Sequence, residues 1–173
     1  EDIIAHGGIP VMCKTGHSLI KQMMRESGAL LAGEMSGHFF FKDVWHGGDD
    51  ALYAGARLLE ILSNTTTDSA TYFARFPDSI TTPELKIPIA EMDKFPFIDA
   101  LIDHVRRESA EEMITLDGLR VHFQDGWGLV RASNTSPYLI LRFEAVSQAV
   151  LARIQQTFKQ WMLSVKQDLN IAF

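Results

Sequence analysis

Three short polar stretches carry the residue types that grip anionic or hydroxylated ligands. The first is R-A-S-N-T at 131–135, followed by Ser136 and Pro137. The Arg131 guanidinium offers paired donors to a phosphate. Ser133, Asn134 and Thr135, with turn-exposed backbone N–H groups, add neutral donors that together make an anion nest. The same residues also suit an ordinary polar hairpin loop whose side chains satisfy their own backbone, and chemistry alone leaves both readings open. The second stretch is G-E-M-S-G-H at 33–38. Its glycines let backbone approach a ligand, Glu34 can accept from two neighbouring hydroxyls, and Ser36 and His38 can donate or accept. That mixture suits a sugar edge better than acid/base chemistry; a tight loop with a solvated Glu is the plainer alternative. The third is K-T-G-H at 14–17. Lys14 and His17 stand at a strand-to-helix junction, where α/β sheets collect ligands and a helix N-terminus attracts anions. The P-loop spacing is absent, and a structural turn is the alternative.

Other candidates are weaker. Asp49 and Asp50 resemble a metal pair, but adjacent side chains at a helix start point apart, so capping is the better reading. The six histidines show no H-x-x-x-H or Cys-paired spacing, which argues against zinc. No G-x-S-x-G elbow occurs. Cys13 is the one cysteine, so no internal disulfide can form. It reads as a small buried hydrophobe, and a reducing cytoplasm fits it.

The elements that must position these loops change rhythm midway. In the first half, 9–13 reads as a buried strand. Ser18 caps a helix to about residue 26, ended by Gly28. Residues 29–32, 39–41 and 44–45 are extended, and Asp49–Asp50 opens a helix with Leu52, Ala56, Leu59 and Leu62 at helical spacing. This is an α/β pattern, too short for a complete doubly wound domain. Residues 64–69 are polar and weak in propensity, with a helical turn at 71–75. In the second half, 84–90 alternates as a strand and 94–107 as a helix. Strands at 113–116, 119–123 and 127–132 follow, separated by Asp117–Gly118 and Asp125–Gly126, a strong hairpin signal. A strand at 138–145 and a helix from a Ser147 cap to about 166 complete β-α-β-β-β-β-α. An antiparallel sheet with both helices on one face is the natural solution.

The 173 residues are 46% apolar and 22% charged, as in globular proteins. A net charge of −6 argues against a nucleic-acid surface, although a few cations can still focus a potential on a small anion. No apolar run spans a membrane, and residues 1–4 have no signal-peptide character. The missing initiator Met suggests that the chain begins partway through a longer protein.

Together the loops resemble the α-D-phosphohexomutases. The resemblance rests on K-T-G-H-S at 14–18, G-A-L-L-A-G-E-M-S-G-H at 28–38, D-D at 49–50, L-L-E-I-L-S at 58–63 and G-W-G-L-V-R-A-S-N-T at 126–135. It implies an α/β partial domain followed by an α+β domain. Residues 1–68 would end the family's third domain, 69–77 would be a linker or hinge, and 78–173 would be the fourth. The latter is expected to have a four-stranded antiparallel sheet and two helices, similar to the TATA-box-binding-protein fold, with no implication of DNA binding. Glu34, Ser36 and His38 would belong to the sugar loop, with Lys14 and His17 also facing substrate. Arg131, Ser133, Asn134 and Thr135 would belong to the phosphate loop. Met35 matches the dual phosphomannomutase/phosphoglucomutase group.

The implied activity is interconversion of mannose and glucose 1- and 6-phosphates through a phosphoserine and a hexose 1,6-bisphosphate, with Mg²⁺. The protein would be a cytoplasmic monomer whose partners are phosphosugars and the remaining domains of its own polypeptide, not nucleic acid or membrane. Neither the phosphoserine motif nor a D-G-D-G-D-R metal loop occurs in the chain, so no catalytic or metal-ligating residue is expected here and the chain alone should be inactive. The rival reading is a stand-alone, non-catalytic phosphosugar-binding module.

Overall fold

The computed structural model describes residues 2–76 and 78–173; Glu1 and Pro77, the expected end of the linker, lie outside the described residues. The chain divides into two compact units, Glu1–Phe76 and Pro77–Phe173.

The first unit contains α1 (Asp2–Ala5), α2 (His17–Ser27), β1 (Leu31–Gly33), β2 (Phe39–Phe41), α3 (Ala51–Ser63) and α4 (Ser69–Phe73). Strands β1 and β2 pair antiparallel, Leu31 opposite Phe41 and Gly33 opposite Phe39. Its core is small: Ile20 and Met24 from α2 and Phe40 from β2 are buried, with Cys13, Ala29 and Ala32 packed against them. Gly28 ends α2 at φ 73°, in the left-handed region that glycine alone enters at no cost.

Several expectations fail here. Residues 9–13 form no strand, and Ile9, Val11 and Met12 are exposed; β1 pairs only with β2, so no ladder partner holds this segment extended. Residues 44–45 form no strand either. Ser18 does not cap α2: the cap position is Gly16, which has no side chain to offer. The apolar stripe of α3 stays uncovered within its unit, with Leu52 89% and Leu59 68% exposed. A two-stranded hairpin supplies too little surface for a second layer.

The second unit contains β3 (Ile80–Thr81), β4 (Leu85–Pro88), α5 (Lys94–Glu108), β5 (Glu112–Ile114), β6 (Leu119–Phe123), β7 (Gly126–Ala132), β8 (Tyr138–Ala145) and α6 (Gln148–Val165). The sheet is antiparallel in the order β3-β8-β7-β6-β5, with β4 also pairing β8. It has six strands, against the five read from the sequence pattern and the four that the resemblance implies; the short β3 and β4 divide one edge of β8 between them, so the six strands fill five positions. Period-two alternation sends Leu119, Val121, Val130, Leu139, Leu141 and Phe143 into a core shared with Phe97, Leu101 and Val105 of α5 and Leu151, Ile154, Phe158 and Met162 of α6. Ser147 caps α6 by accepting from the Val150 N–H.

The second hairpin turn is shifted by one residue from its expected place. Phe123 pairs with Gly126, so the turn is Gln124–Asp125 and Gly126 is the first residue of β7. A Cβ there would lie 2.3 Å from the Glu144 carbonyl oxygen, so close strand approach, not turn geometry, requires glycine. Among the described residues no helix is long and apolar enough to cross a membrane.

Candidate functional site

In the first unit the G-E-M-S-G-H loop is the turn of the β1–β2 hairpin. The Glu34 N–H donates to the His38 carbonyl at 2.9 Å, and the Gly37 N–H to the Glu34 carbonyl at 3.0 Å. Gly37 sits at φ 90°, which favours glycine. The Glu34 carboxylate reaches across the unit: Oε1 accepts from the Gly16 N–H at 3.0 Å, and Oε2 from the Ser36 hydroxyl at 3.3 Å. Each oxygen keeps acceptor capacity for a ligand hydroxyl. This bond ties the K-T-G-H segment to the hairpin turn. Gly16, at φ 132°, adopts a conformation that side chains disfavour, which explains why glycine occupies the helix cap.

His17 opens α2, and His38 leads into β2. Their rings meet edge-on with centroids 4.7 Å apart, and His17 also stands edge-on to the buried Phe40, at 5.4 Å. A third group joins them. Asp49 Oδ2 lies 2.7 Å from His38 Nδ1 and 3.5 Å from His17 Nε2. Asp49 is held by an antiparallel bridge to Phe40. Burial raises its carboxyl pKa, but the hydrogen bond from His38, the charges of both histidines and the Phe39 N–H outweigh that and hold it below the usual carboxylate range. The carboxylate is then only an acceptor, so Nδ1 of His38 carries the shared hydrogen and Nε2 keeps a lone pair when the ring is neutral.

Reading Asp49 as a cap was therefore wrong, and the adjacent pair divides its roles. Asp50 caps α3 by accepting from the Tyr53 N–H at 3.0 Å, which turns Asp49 away toward the histidines. Sequence spacing did not reveal the cluster because its three members come from a helix start, a hairpin exit and a bridge residue. Lys14 is exposed and makes no ion pair among the described residues.

In the second unit the R-A-S-N-T loop joins β7 to β8. Arg131 lies in β7 opposite Ile140. Its neighbours Val130 and Ala132 point into the core, so its side chain leaves the opposite face of the sheet. It forms no ion pair among the described residues, leaving its guanidinium available to an anion. Asn134 and Thr135 are exposed at the loop tip. Ser133 is different: it is 7% exposed, and its hydroxyl is 2.8 Å from that of Ser136 while accepting from the Thr135 N–H at 3.3 Å. It staples the loop.

Beneath the loop lies a residue that sequence reasoning missed. Lys94, at the start of α5, is 1% exposed; its ammonium pairs with Glu91 at 2.6 Å and donates to the Ser136 carbonyl at 3.4 Å. The Ile89 N–H adds a second tie, to the Pro137 carbonyl at 3.1 Å. A lysine opening an amphipathic helix gives no sequence signal of burial.

Comparison with known proteins covers both units. Residues 1–79 match the model for phosphoglucomutase/phosphomannomutase, alpha/beta/alpha domain III, and residues 83–160 match the model for the C-terminal domain of the same proteins. The chain is 53% identical over 171 residues to a phosphomannomutase/phosphoglucomutase of Pseudomonas syringae pv. tomato, covering 99% of this chain and 37% of that protein. It is 57% identical over 155 residues to a phosphoglucomutase of Neisseria meningitidis serogroup A, covering 89% of this chain and 34% of that one. A crystal structure of a phosphoglucomutase/phosphomannomutase family protein from Burkholderia thailandensis superimposes with a TM-score of 0.89 at 49% identity, over 99% of this chain and 36% of that one. The chain thus spans little more than a third of the length of these relatives, and it belongs to the phosphoglucomutase/phosphomannomutase family of α-D-phosphohexomutases.

Proposed function

We infer that this chain is the substrate-binding part of a phosphohexomutase that interconverts hexose 1-phosphates and hexose 6-phosphates. The observation that carries the reading is the bond from Gly16 N–H to Glu34, which gathers His17, Glu34, Ser36 and His38 into one polar surface. Glu34 and Ser36 offer the sugar a carboxylate edge and a hydroxyl. Vicinal hydroxyls present similar edges in either orientation, so these groups can serve both. The Nε2 of His38, on a ring oriented by Asp49, can accept a hydroxyl hydrogen and take its proton as the oxygen becomes nucleophilic. Arg131, Asn134 and Thr135 hold the phosphate that is not reacting, with Ser133 shaping their loop. Transfer of a phosphoryl group depends mainly on such positioning and charge neutralisation.

On this reading the phosphoserine that gives and regains the phosphoryl group lies outside these residues, and the hexose 1,6-bisphosphate is the intermediate. The Mg²⁺ site also lies outside them. Mg²⁺ requires oxygen ligands, and the candidate ion-holding group among the described residues supplies two imidazole nitrogens and one carboxylate. Met35, exposed in the sugar loop, supports acceptance of both mannose and glucose phosphates. The six-stranded sheet with α5 and α6 supports the TATA-box-binding-protein-like reading of the second unit. Cytoplasmic location and a monomeric state belong to the same proposal, as does a hinge at 69–77.

The test is binding and turnover with the 173-residue chain. Calorimetry should show glucose 1-phosphate and mannose 1-phosphate binding more tightly than free glucose or inorganic phosphate. A coupled assay should show no conversion of mannose 1-phosphate to mannose 6-phosphate. Equal affinity for inorganic phosphate would remove the sugar loop from the site, and turnover by the chain alone would place the nucleophile within it.

A further inference from the structure

We propose that His17, His38 and Asp49 form a binding site for a borderline-soft divalent cation of the Zn²⁺ type, and that the bound cation blocks the sugar surface. One ligand atom from each residue lies within 4.8 Å of the others. Zn²⁺ sits about 2.0–2.2 Å from imidazole nitrogen and carboxylate oxygen, which sets tetrahedral donors roughly 3.3–3.5 Å apart. The separation of 3.5 Å between His17 Nε2 and Asp49 Oδ2 already fits that spacing, while the 2.7 Å from His38 Nδ1 must open slightly. Both imidazoles are more than two-fifths exposed, so side-chain rotation alone can open it.

The set is anchored from behind. Phe40 holds Asp49 through the backbone bridge and meets the His17 ring edge-on, and the Phe39 N–H faces the carboxylate. Such outer contacts orient metal ligands. Two nitrogens and one oxygen match Zn²⁺, Co²⁺ or Ni²⁺ and exclude Mg²⁺ as a competitor. Three protein ligands leave a fourth position open, as in catalytic rather than structural zinc sites.

The metal site stands on geometry alone. Its consequence rests on the functional reading above: a cation on His38 Nδ1 displaces the proton shared with Asp49 and holds the ring, so Nε2 is no longer free to accept from a sugar hydroxyl.

The experiment titrates the 173-residue chain with Zn²⁺ against a chromophoric chelator at neutral pH, and with Co²⁺ by visible absorption. Expected are one Zn²⁺ per chain, a visible Co²⁺ spectrum of low coordination number, and no displacement by Mg²⁺. His17→Ala, His38→Ala and Asp49→Asn should each weaken Zn²⁺ by at least about tenfold, since even outer-shell changes cost that much. His46→Ala, an imidazole whose Nδ1 instead accepts from the Gly48 N–H, should bind as the parent does. If an alanine variant unfolds, His38→Gln replaces it. Absence of Zn²⁺ binding at micromolar free metal, or binding unchanged in the His38 and Asp49 variants, overturns the site.

A second arm measures glucose 1-phosphate affinity with and without Zn²⁺, and a clear loss is expected. Zn²⁺ that binds through these ligands without affecting the phosphosugar overturns the blocking role and leaves the metal site standing. If the phosphosugar does not bind even without metal, the functional reading fails while the first arm still decides the metal site.

Discussion

The two polar loops are built on opposite principles. The second unit seats its R-A-S-N-T loop at the end of two long paired strands above a deep apolar core, and fastens it from below through Lys94 and Ile89. Among the described residues, the first unit buries only Ile20, Met24 and Phe40, and its surface is organised by side-chain bonds from Glu34 and Asp49. Hydrophobic burial is non-directional and scales with area, so it makes the second unit a stiff platform for its loop, which on the proposed function is a fixed phosphate grip. Hydrogen bonds are directional but contribute little net stability each. They orient the first unit's groups while leaving them easier to rearrange, which on the proposed function suits a surface that accepts a sugar in two orientations.

The sharpest way to break this contrast is Phe158→Ala. Phe158 is fully buried, beside Phe143 and Trp161 and under Gly128. Its loss should cost the second unit roughly 3–5 kcal/mol. Thermal unfolding followed by NMR should show second-unit signals lost early and the His17 and His38 imidazole signals little changed. Simultaneous loss would mean that the units share their stability.

Next in size is Arg131→Ala. A charge-assisted phosphate contact is worth about 1.5–3 kcal/mol, so glucose 1-phosphate affinity should fall roughly 10- to 150-fold, with the melting temperature almost unmoved. Unchanged calorimetric affinity would remove Arg131 from the site.

Lys94→Met should have a smaller effect. The thioether keeps most of the buried volume but cannot donate to the Ser136 carbonyl. Phosphosugar affinity should fall by up to about tenfold, or 1.4 kcal/mol, with faster hydrogen exchange at the Ser133 and Thr135 amides. Faster exchange without weaker binding would show that loop order does not limit the grip.

The smallest effect is a pH dependence confined to the second unit. Burial and the Arg120 charge lower the His122 pKa below its ordinary value, with Glu112 opposing them weakly. The Arg120 N–H donates to His122 Nε2 at 3.0 Å, a bond that needs the neutral ring. The unfolded chain then takes up a proton at a higher pH than the folded one. Stability is full above the ordinary histidine pKa and is lost as pH falls through the lowered one. Thermal melts from pH 7.5 downward should fall less steeply for His122→Gln. Identical slopes would assign the dependence to other groups.

Most of the second unit was legible because its signals are local. Alternation located β6, β7 and β8, the stripe of Phe97, Leu101 and Val105 located α5, and Ser147 marked the start of α6. The extra edge strand β3, only two residues long, was not legible, since two residues show no period. The first unit was harder to read. Residues 9–13 are as apolar as a strand, but a strand exists only where a partner completes its ladder, and the sequence does not show whether one is there.

By itself the sequence determined the polar inventory: Glu34, Ser36 and His38 in one turn, and Arg131 with Ser133, Asn134 and Thr135 in another. Neighbours in sequence must share a turn, and glycines and hydroxyls favour turns. Only the tertiary structure decided which of these groups are free and which are engaged. It bonded Gly16 to Glu34, spent the Ser133 hydroxyl within its own loop, and placed Lys94 beneath that loop. It also brought Asp49 to His17 and His38. Apart from the Ser133 bonds, those pairings join residues far apart in sequence, so their geometry is set by how elements pack rather than by any local pattern.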